Sequence, residues 1–262
     1  NKTVIDLREI DSIIEYEPEE LLAVVSTGTR IDQLNAILEE NNQFFPLNPP
    51  LTSRATIGGT IASNSYGFLM SRYGTALDMT LGLKFVRADG TLVKAGGRVA
   101  KNVAGYDITK LMIGSWGTLG IITQIAVRVH PKPEMIQTII VGFDTLFSAI
   151  DSAFDVLDSH FAPDFLLILN SELAVKIMKK VKIDPGQADF FIIMGADGLP
   201  ETVKWQENEI KNIYGKNRAR FCDVISKRKN DQVRNELRDY VSSVYKGIIL
   251  KVVSTRSAVQ KI

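Results

Sequence analysis

Residues 55–67 read ATIGGTIASNSYG, with three glycines among small, hydroxyl-bearing and amide-bearing side chains. Such a stretch cannot fill a core, and a turn needs only one or two glycines. It reads as a surface shaped so that something else can lie against it. Glycine lets a backbone approach a ligand with no Cβ in the way. Successive backbone N–H groups in tight turns form concavities for anions, and Ser, Thr and Asn add neutral donors. TIGGTIASNS thus offers phosphate or pyrophosphate chemistry without a charge. On spacing alone, a set of tight β-turns in a strand-rich domain is an equal alternative.

Outward from this stretch, twelve of the 19 glycines fall between Ala55 and Gly120. LGLKFVRADGTLVKAGG (81–97) is a hairpin signal, two alternating runs about an Asp89–Gly90 turn. YDITKLMI (106–113) reads as a short helix with Asp107 as N-cap, followed by GSWGTLG and the strand IITQIAVRVH. Upstream, 3–7, 13–16 and 21–26 read as strands, and Thr29 with Asp32 as a capping box for a helix ending near Asn41. FFPLNPPLTSR (44–54) is held extended by its prolines.

HPKPE (130–134) breaks the pattern, giving domains at 1–133 and 134–262. Beyond it strands at 137–143, 164–169, 189–195, 219–225 and 248–253 alternate with helices at 145–158, 171–181, 200–214 and 230–245. That is an α+β pattern, one sheet covered by helices. The strand-like opening TVIDL and the barely started helix in STRSAVQKI lead us to expect further sequence at both ends.

Composition narrows the classes. The chain has 262 residues, 45% hydrophobic and 23% charged, with formal net charge +1. No strong field points to nucleic acid or an anionic membrane, and no apolar run approaches the roughly 18 residues of a membrane span. Between Lys204 and Arg238 basic residues outnumber acidic ones, which reads as a solvated helical face because interleaved aromatics are few. One cysteine, Cys222, and two histidines, His130 and His160, supply neither a disulfide nor a zinc site of usual spacing. We expect a cytoplasmic chain, associated with a membrane only through partner subunits. The sequence lacks G-x-x-x-x-G-K-[ST], G-x-G-x-x-G and G-x-S-x-G, so P-loop, Rossmann and hydrolase-elbow readings fail.

Three segments in register carry a resemblance. PPLTSRATIGGTIASNSYGFLMSRYG, DMTLGLKFVRADGTLVKAGGRVAKNVAGYDITKL and MIGSWGTLGIITQIAVRVHPKP together resemble the FAD-binding domain of the vanillyl-alcohol oxidase and p-cresol methylhydroxylase (PCMH) type of flavoprotein. KNVAGYD and the length of the second domain look most like the glycolate oxidase subunits of the GlcE type. The resemblance is dense over 46–133 and thin afterwards. It implies an incomplete PCMH-type FAD-binding domain followed by an incomplete ferredoxin-like cap over the flavin.

Carried over, Pro50, Leu51, Thr52, Ala55, Thr56, Ile57, Gly58 and Gly59 would line the cofactor, with backbone amides donating to phosphate. Ser63, Asn64 and Ser65 would lie near the isoalloxazine, and Gly117, Thr118, Gly120, Ile121 and Ile122 against the adenine half. Trp116 stands where the family usually has an acidic or small residue. Lys101, Asn102, Tyr106 and Asp107 fall in a segment the family keeps near the cofactor, although a solvated Lys101 and purely structural Tyr106 and Asp107 are equally open readings. The family's glycine-rich pyrophosphate loop and its C-terminal histidine and acidic substrate cluster have no counterpart here. His130 and His160 read as structural, so the FAD would be non-covalent, and no metal is expected.

Three readings stay open. The chain is an FAD-dependent oxidoreductase, or part of one, that oxidises a 2-hydroxy acid such as glycolate or D-lactate. It is a non-catalytic FAD-binding subunit beside a larger flavoprotein and an iron–sulfur subunit. Or it is a fragment that no longer holds FAD.

Overall fold

A computed structural model describes residues 4–97, 106–216, 219–243, 250 and 252–261. The chain divides into two compact units, Asn1–Lys132 and Pro133–Ile262.

The first unit is built on an antiparallel sheet of five strands: β1 (Ile13–Glu17), β2 (Leu22–Ser26), β4 (Thr80–Val86), β5 (Leu92–Gly96) and β6 (Ile121–Arg128), in the order β1-β2-β6-β4-β5. Register decides which side chains form its core. Ala23 faces Val127, and Ile125 lies between Val25 and Leu83, so alternate residues bring an apolar row to one side. Two helices cover that row, α1 (Ile31–Leu38) and α2 (Ile57–Ser63), through Ile31, Leu34, Leu38, Ile57 and Ile61. The short pieces β3 (Gln43–Phe44) and β7 (His130–Pro131) pair with each other, and α3 (Met70–Tyr73), α4 (Ala76–Met79) and α5 (Ile108–Met112) link the strands.

Within the segment 55–67, residues Ile57–Ser63 form a helix where the sequence suggested turns and open loop. Gly58 and Gly59 each disfavour helix by about 1 kcal/mol relative to Ala. Burial of Ile57 and Ile61, one helical turn apart and both fully covered, contributes roughly 1.5–3 kcal/mol each and outweighs that cost. Thr56 caps the N-terminus, its hydroxyl accepting from Gly59 N–H at 3.1 Å, and Asn64 closes the C-terminus in the left-handed region at φ 47°.

Other local expectations need correction. Residues 4–7 form no strand. The start of α1 is capped at Arg30, whose N–H donates to the Gln33 side chain at 2.9 Å, rather than by Thr29 with Asp32. Asp107 is the N-cap of α5, accepting from Lys110 N–H at 3.0 Å. Asp89 accepts from Thr91 N–H in the turn between β4 and β5.

The second unit runs β8 (Met135–Phe143), α6 (Leu146–Asp158), β9 (Phe165–Asn170), α7 (Ser171–Lys180), β10 (Phe190–Gly198), α8 (Pro200–Lys216), β11 (Phe221–Ile225) and α9 (Lys227–Asp239). Its strands form an antiparallel sheet in the order β11-β8-β10-β9, a ferredoxin-like order with an added helix between the second and third strands. One face buries Ile139, Val141, Phe143, Ile192 and Met194 against Ala149, Ala153, Val156, Val203 and Ile210 of α6 and α8. The helices α7 and α9 hold the opposite face. There Arg234 donates to Asp164 Oδ2 at 2.7 Å and to Gln137 O at 2.8 Å, with its guanidinium 5.0 Å above the Phe165 ring. Burial pushes the Asp164 carboxyl up, against the pull of the Arg234 charge. The strand expected at 248–253 lies largely outside the described residues, and residues 250, 252 and 253 carry no regular structure.

Candidate functional site

On the first unit a cleft of about 520 Å³ opens where four stretches of chain converge. Thr27 and Gly28, just past β2, form its floor beside Thr56, Gly58, Gly59, Ala62 and Ser63 of the α2 segment. Trp116, Gly117, Gly120, Ile121 and Ile122 supply one wall, and Ile5, Leu7 and Arg8 another. The volume lies within the roughly 300–1,000 Å³ usual for small-molecule sites.

The floor exists because α2 touches the end of β2 through its backbone. Gly58 N–H donates to Thr27 O at 2.8 Å, and Ile57 N–H to Thr29 O at 2.8 Å. A Cβ on Gly58 would lie 1.7 Å from Thr27 Oγ1, so no larger residue permits this approach. These bonds also settle where three amides point. The N–H groups of Ile57, Gly58 and Gly59 are all bonded within the chain, whereas the sequence reading had backbone amides of this stretch donating to phosphate. What α2 presents to the cleft is a low surface of Gly59, Ala62 and the hydroxyls of Thr56 and Ser63.

The wall at 116–122 is set by two consecutive left-handed residues. Trp116 has φ 54° and Gly117 φ 73°. For glycine that conformation is free, and a Cβ there would meet nothing within 4 Å, standing in the open space of the cleft. For tryptophan it costs on the order of 1 kcal/mol or more. The Trp116 N–H donates to Ala62 O at 2.8 Å, which pins the wall to α2, yet the indole is 77% exposed. Beside this junction Asn64 Oδ1 and Ser115 Oγ are buried with no hydrogen-bond partner among the described residues.

Charge is sparse. Arg8 is the one charged side chain among the lining residues, and it is paired with Asp6, whose carboxyl it lowers to about 2. No His, Cys, Tyr, Lys, Asp or Glu is among them.

Of the residues expected from sequence, the structure brings Thr56, Gly58, Gly59, Ser63, Gly117, Gly120, Ile121 and Ile122 to the cleft. Pro50, Leu51, Thr52, Ala55, Ile57, Asn64, Ser65 and Thr118 are not among its lining. Ile57 is core. Arg54 and Ala55 N–H close a turn on Leu51 O, and Ser65 N–H closes the end of α2 on Thr60 O. Thr118 Oγ1 donates to Ser115 O at 2.6 Å. Tyr106, 98% exposed, and Asp107 border a separate hollow with Thr80 and Thr109. Lys101 and Asn102 lie outside the described residues. Sequence reading missed Thr27, Gly28, Ala62, Ile5, Leu7 and Arg8. The small run STGT directly after a strand was the available signal for the first two.

The remaining titratable candidates are structural in setting. His130 is half-buried, its ring 5.3 Å edge-on from Tyr73, and burial with the nearby Arg128 charge lowers its pKa. Burial pushes the Cys222 thiol up to about 11, away from thiolate chemistry. Among the described residues no group of His, Cys, Asp and Glu could hold a metal ion, and no helix is long and apolar enough to cross a membrane.

The fold is shared with alkyldihydroxyacetonephosphate synthase (TM-score 0.72, 22% identity, 90% of this chain and 45% of that one). It is also shared with p-cresol methylhydroxylase (TM-score 0.66, 16% identity, 90% and 53%). The class is therefore the PCMH-type FAD fold. Residues 1–96 match the family described as FAD binding domain, and FAD is the cofactor of the class.

More particularly, the chain is homologous to glycolate oxidase subunits and D-lactate dehydrogenases. It is 34% identical to glycolate oxidase subunit GlcD of Bacillus subtilis, over 82% of this chain and 46% of that protein. It is 38% identical to subunit GlcE of Escherichia coli, over 50% and 37%. With the mitochondrial cytochrome D-lactate dehydrogenase of Arabidopsis thaliana it shares 39% identity over 57% and 26%. The chain spans under half the length of these relatives.

Proposed function

We propose that the first unit holds the dinucleotide part of FAD along the cleft, and that the chain belongs to an FAD-dependent oxidoreductase acting on a 2-hydroxy acid such as glycolate or D-lactate. The observation that carries this is the junction of α2 with residues 116–122. There Gly59, Ala62 and Gly117 leave a shallow open channel, bordered by the Thr56 and Ser63 hydroxyls. Bound FAD supplies a hydride acceptor, which no protein side chain can replace. The chain's part is to position it. The Thr56 hydroxyl, which accepts from Gly59 N–H, keeps its own proton as a neutral donor beside the channel, whereas the Ser63 hydroxyl donates to Gly59 O at 2.7 Å and offers lone pairs only; the apolar faces of Ile121 and Ile122 exclude water. Because the amides at 57–59 and the Ser63 hydroxyl proton are engaged, phosphate oxygens would be met by the Thr56 hydroxyl and by the backbone of the glycine-rich wall.

The lining offers no side chain that could take a proton from a substrate hydroxyl. That favours a second reading of the same site, in which this chain binds FAD as a subunit and the proton chemistry belongs to another domain or a partner, such as a larger flavoprotein or an iron–sulfur subunit. That GlcD and GlcE are glycolate oxidase subunits supports an assembly.

Gel filtration of the purified chain with added FAD, read by flavin absorbance, tests the site. Co-elution of the flavin bands is expected, and acid precipitation should release all of the colour. Bleaching by glycolate or D-lactate in the absence of any partner would favour the catalytic reading over the subunit reading. Elution free of flavin would remove the proposed site.

A further inference from the structure

Trp116 unites three features that packing does not explain. It is a large aromatic residue in the left-handed region, at φ 54°. It lines the cleft, and its indole is left mostly in solvent. A non-glycine residue held in a costly conformation, with no burial in return, is a mark of a site rather than of a core. Glycine, the residue suited to that φ, follows immediately at 117.

We propose that the Trp116 indole is a stacking platform for the adenine ring of the bound dinucleotide. This rests on the proposed FAD site, whose adenine half the family resemblance sets against residues 117–122, and adds to it a stacking contact from the side chain at 116. The exposure of the indole agrees with adenine as the ring it meets. A redox-active ring needs water excluded around it, and a ring stacked on an indole this open sits at the solvent end of the cleft. The adenine ring tolerates that position. The two faces of such a stack are planar and sequence-tolerant, and no charged partner is needed, in keeping with a lining whose one charge is already paired.

The test uses the whole chain carrying Trp205→Phe, so that Trp116 is the sole indole. AMP, transparent where indole emits, should quench the emission at millimolar concentration, and FMN, which shares no group with AMP within FAD, should leave the Trp116 contact unfilled and fail to displace AMP. Equilibrium dialysis should show Trp116→Ala and Trp116→Gly binding FAD about tenfold more weakly, with Trp116→Phe close to the parent. Trp116→Gly should at the same time unfold at an equal or higher temperature, because strain is relieved; a merely structural tryptophan would lose stability. Unchanged FAD affinity in the Gly and Ala variants, while the parent binds FAD, would overturn this inference and leave the FAD site standing. Absence of quenching by AMP in a parent that binds FAD, or displacement of AMP by FMN, would overturn the adenine assignment. Failure of the parent to bind FAD would overturn the site itself, and the platform with it.

Discussion

At position 58 an added Cβ would lie 1.7 Å from Thr27 Oγ1 and 2.7 Å from the Thr27 carbonyl oxygen, so the α2 backbone would have to lift from the end of β2. Gly58→Ala is expected to lower stability by about 1–3 kcal/mol, as overpacking does, measured by urea unfolding. It should also weaken FAD binding, because the floor of the cleft is the displaced element. Gly117→Ala would instead meet no atom within 4 Å, so its cost is conformational, about 1 kcal/mol, at φ 73°.

His130 makes a different kind of prediction at the residue scale. Its folded pKa lies below the ordinary 6.5, because burial and then the Arg128 charge disfavour the imidazolium. The unfolded chain therefore takes up a proton that the folded chain resists. The stability due to this residue is present above 6.5 and is lost as the pH falls below it. Between about pH 7 and pH 5 the His130→Phe variant, which keeps the ring edge-on to Tyr73, should lose less stability than the parent.

At the scale of elements, α9 is tied to its sheet by a charge. Arg234 and Asp164 are 13% and 1% exposed, and both are needed to neutralise each other. Arg234→Met alone should cost about 3–5 kcal/mol, by leaving a buried carboxylate, while Arg234→Met with Asp164→Leu should recover most of the loss. Thermal denaturation of the two variants decides this. The helix itself was legible from its period, although its start was placed three residues late, at 230 instead of 227. The helix α2 was not legible, since Gly-Gly and a hydroxyl-rich run argue locally against helix. Only the contacts of Ile57 and Ile61 with the sheet overcome that preference. The cap of α1 was misplaced for a related reason: Thr29 has the right side chain, but its carbonyl and backbone are committed to receiving α2.

Over the whole molecule, each unit closes its own hydrophobic cluster, one built from α1, α2 and the five-stranded sheet, the other from α6, α8 and the four-stranded sheet. Residues 133–262 expressed alone should therefore unfold in a single cooperative transition by calorimetry; a broad, non-cooperative melt would show that the cluster depends on the first unit. The alternation of strands and helices at this scale could be read from the sequence. Apolar periods of two and near 3.6 recur strongly enough there to fix element type, and Pro131 with Pro133 interrupts them.

What the sequence determined by itself is the order of elements in the second unit, the hairpin at Asp89–Gly90, the Asp107 cap and the glycine-rich ground on which a cofactor could lie. These depend on neighbours close in the chain. Tertiary structure alone decided that the glycine pair is helical and that its amides are already bonded. It decided that Thr27 and the segment at 5–8 complete the cleft, and that Trp116 stands at its rim. Those outcomes depend on backbone groups some thirty to sixty positions apart meeting at hydrogen-bonding distance, as Gly58 does with Thr27 and Trp116 with Ala62, and no local pattern encodes such meetings.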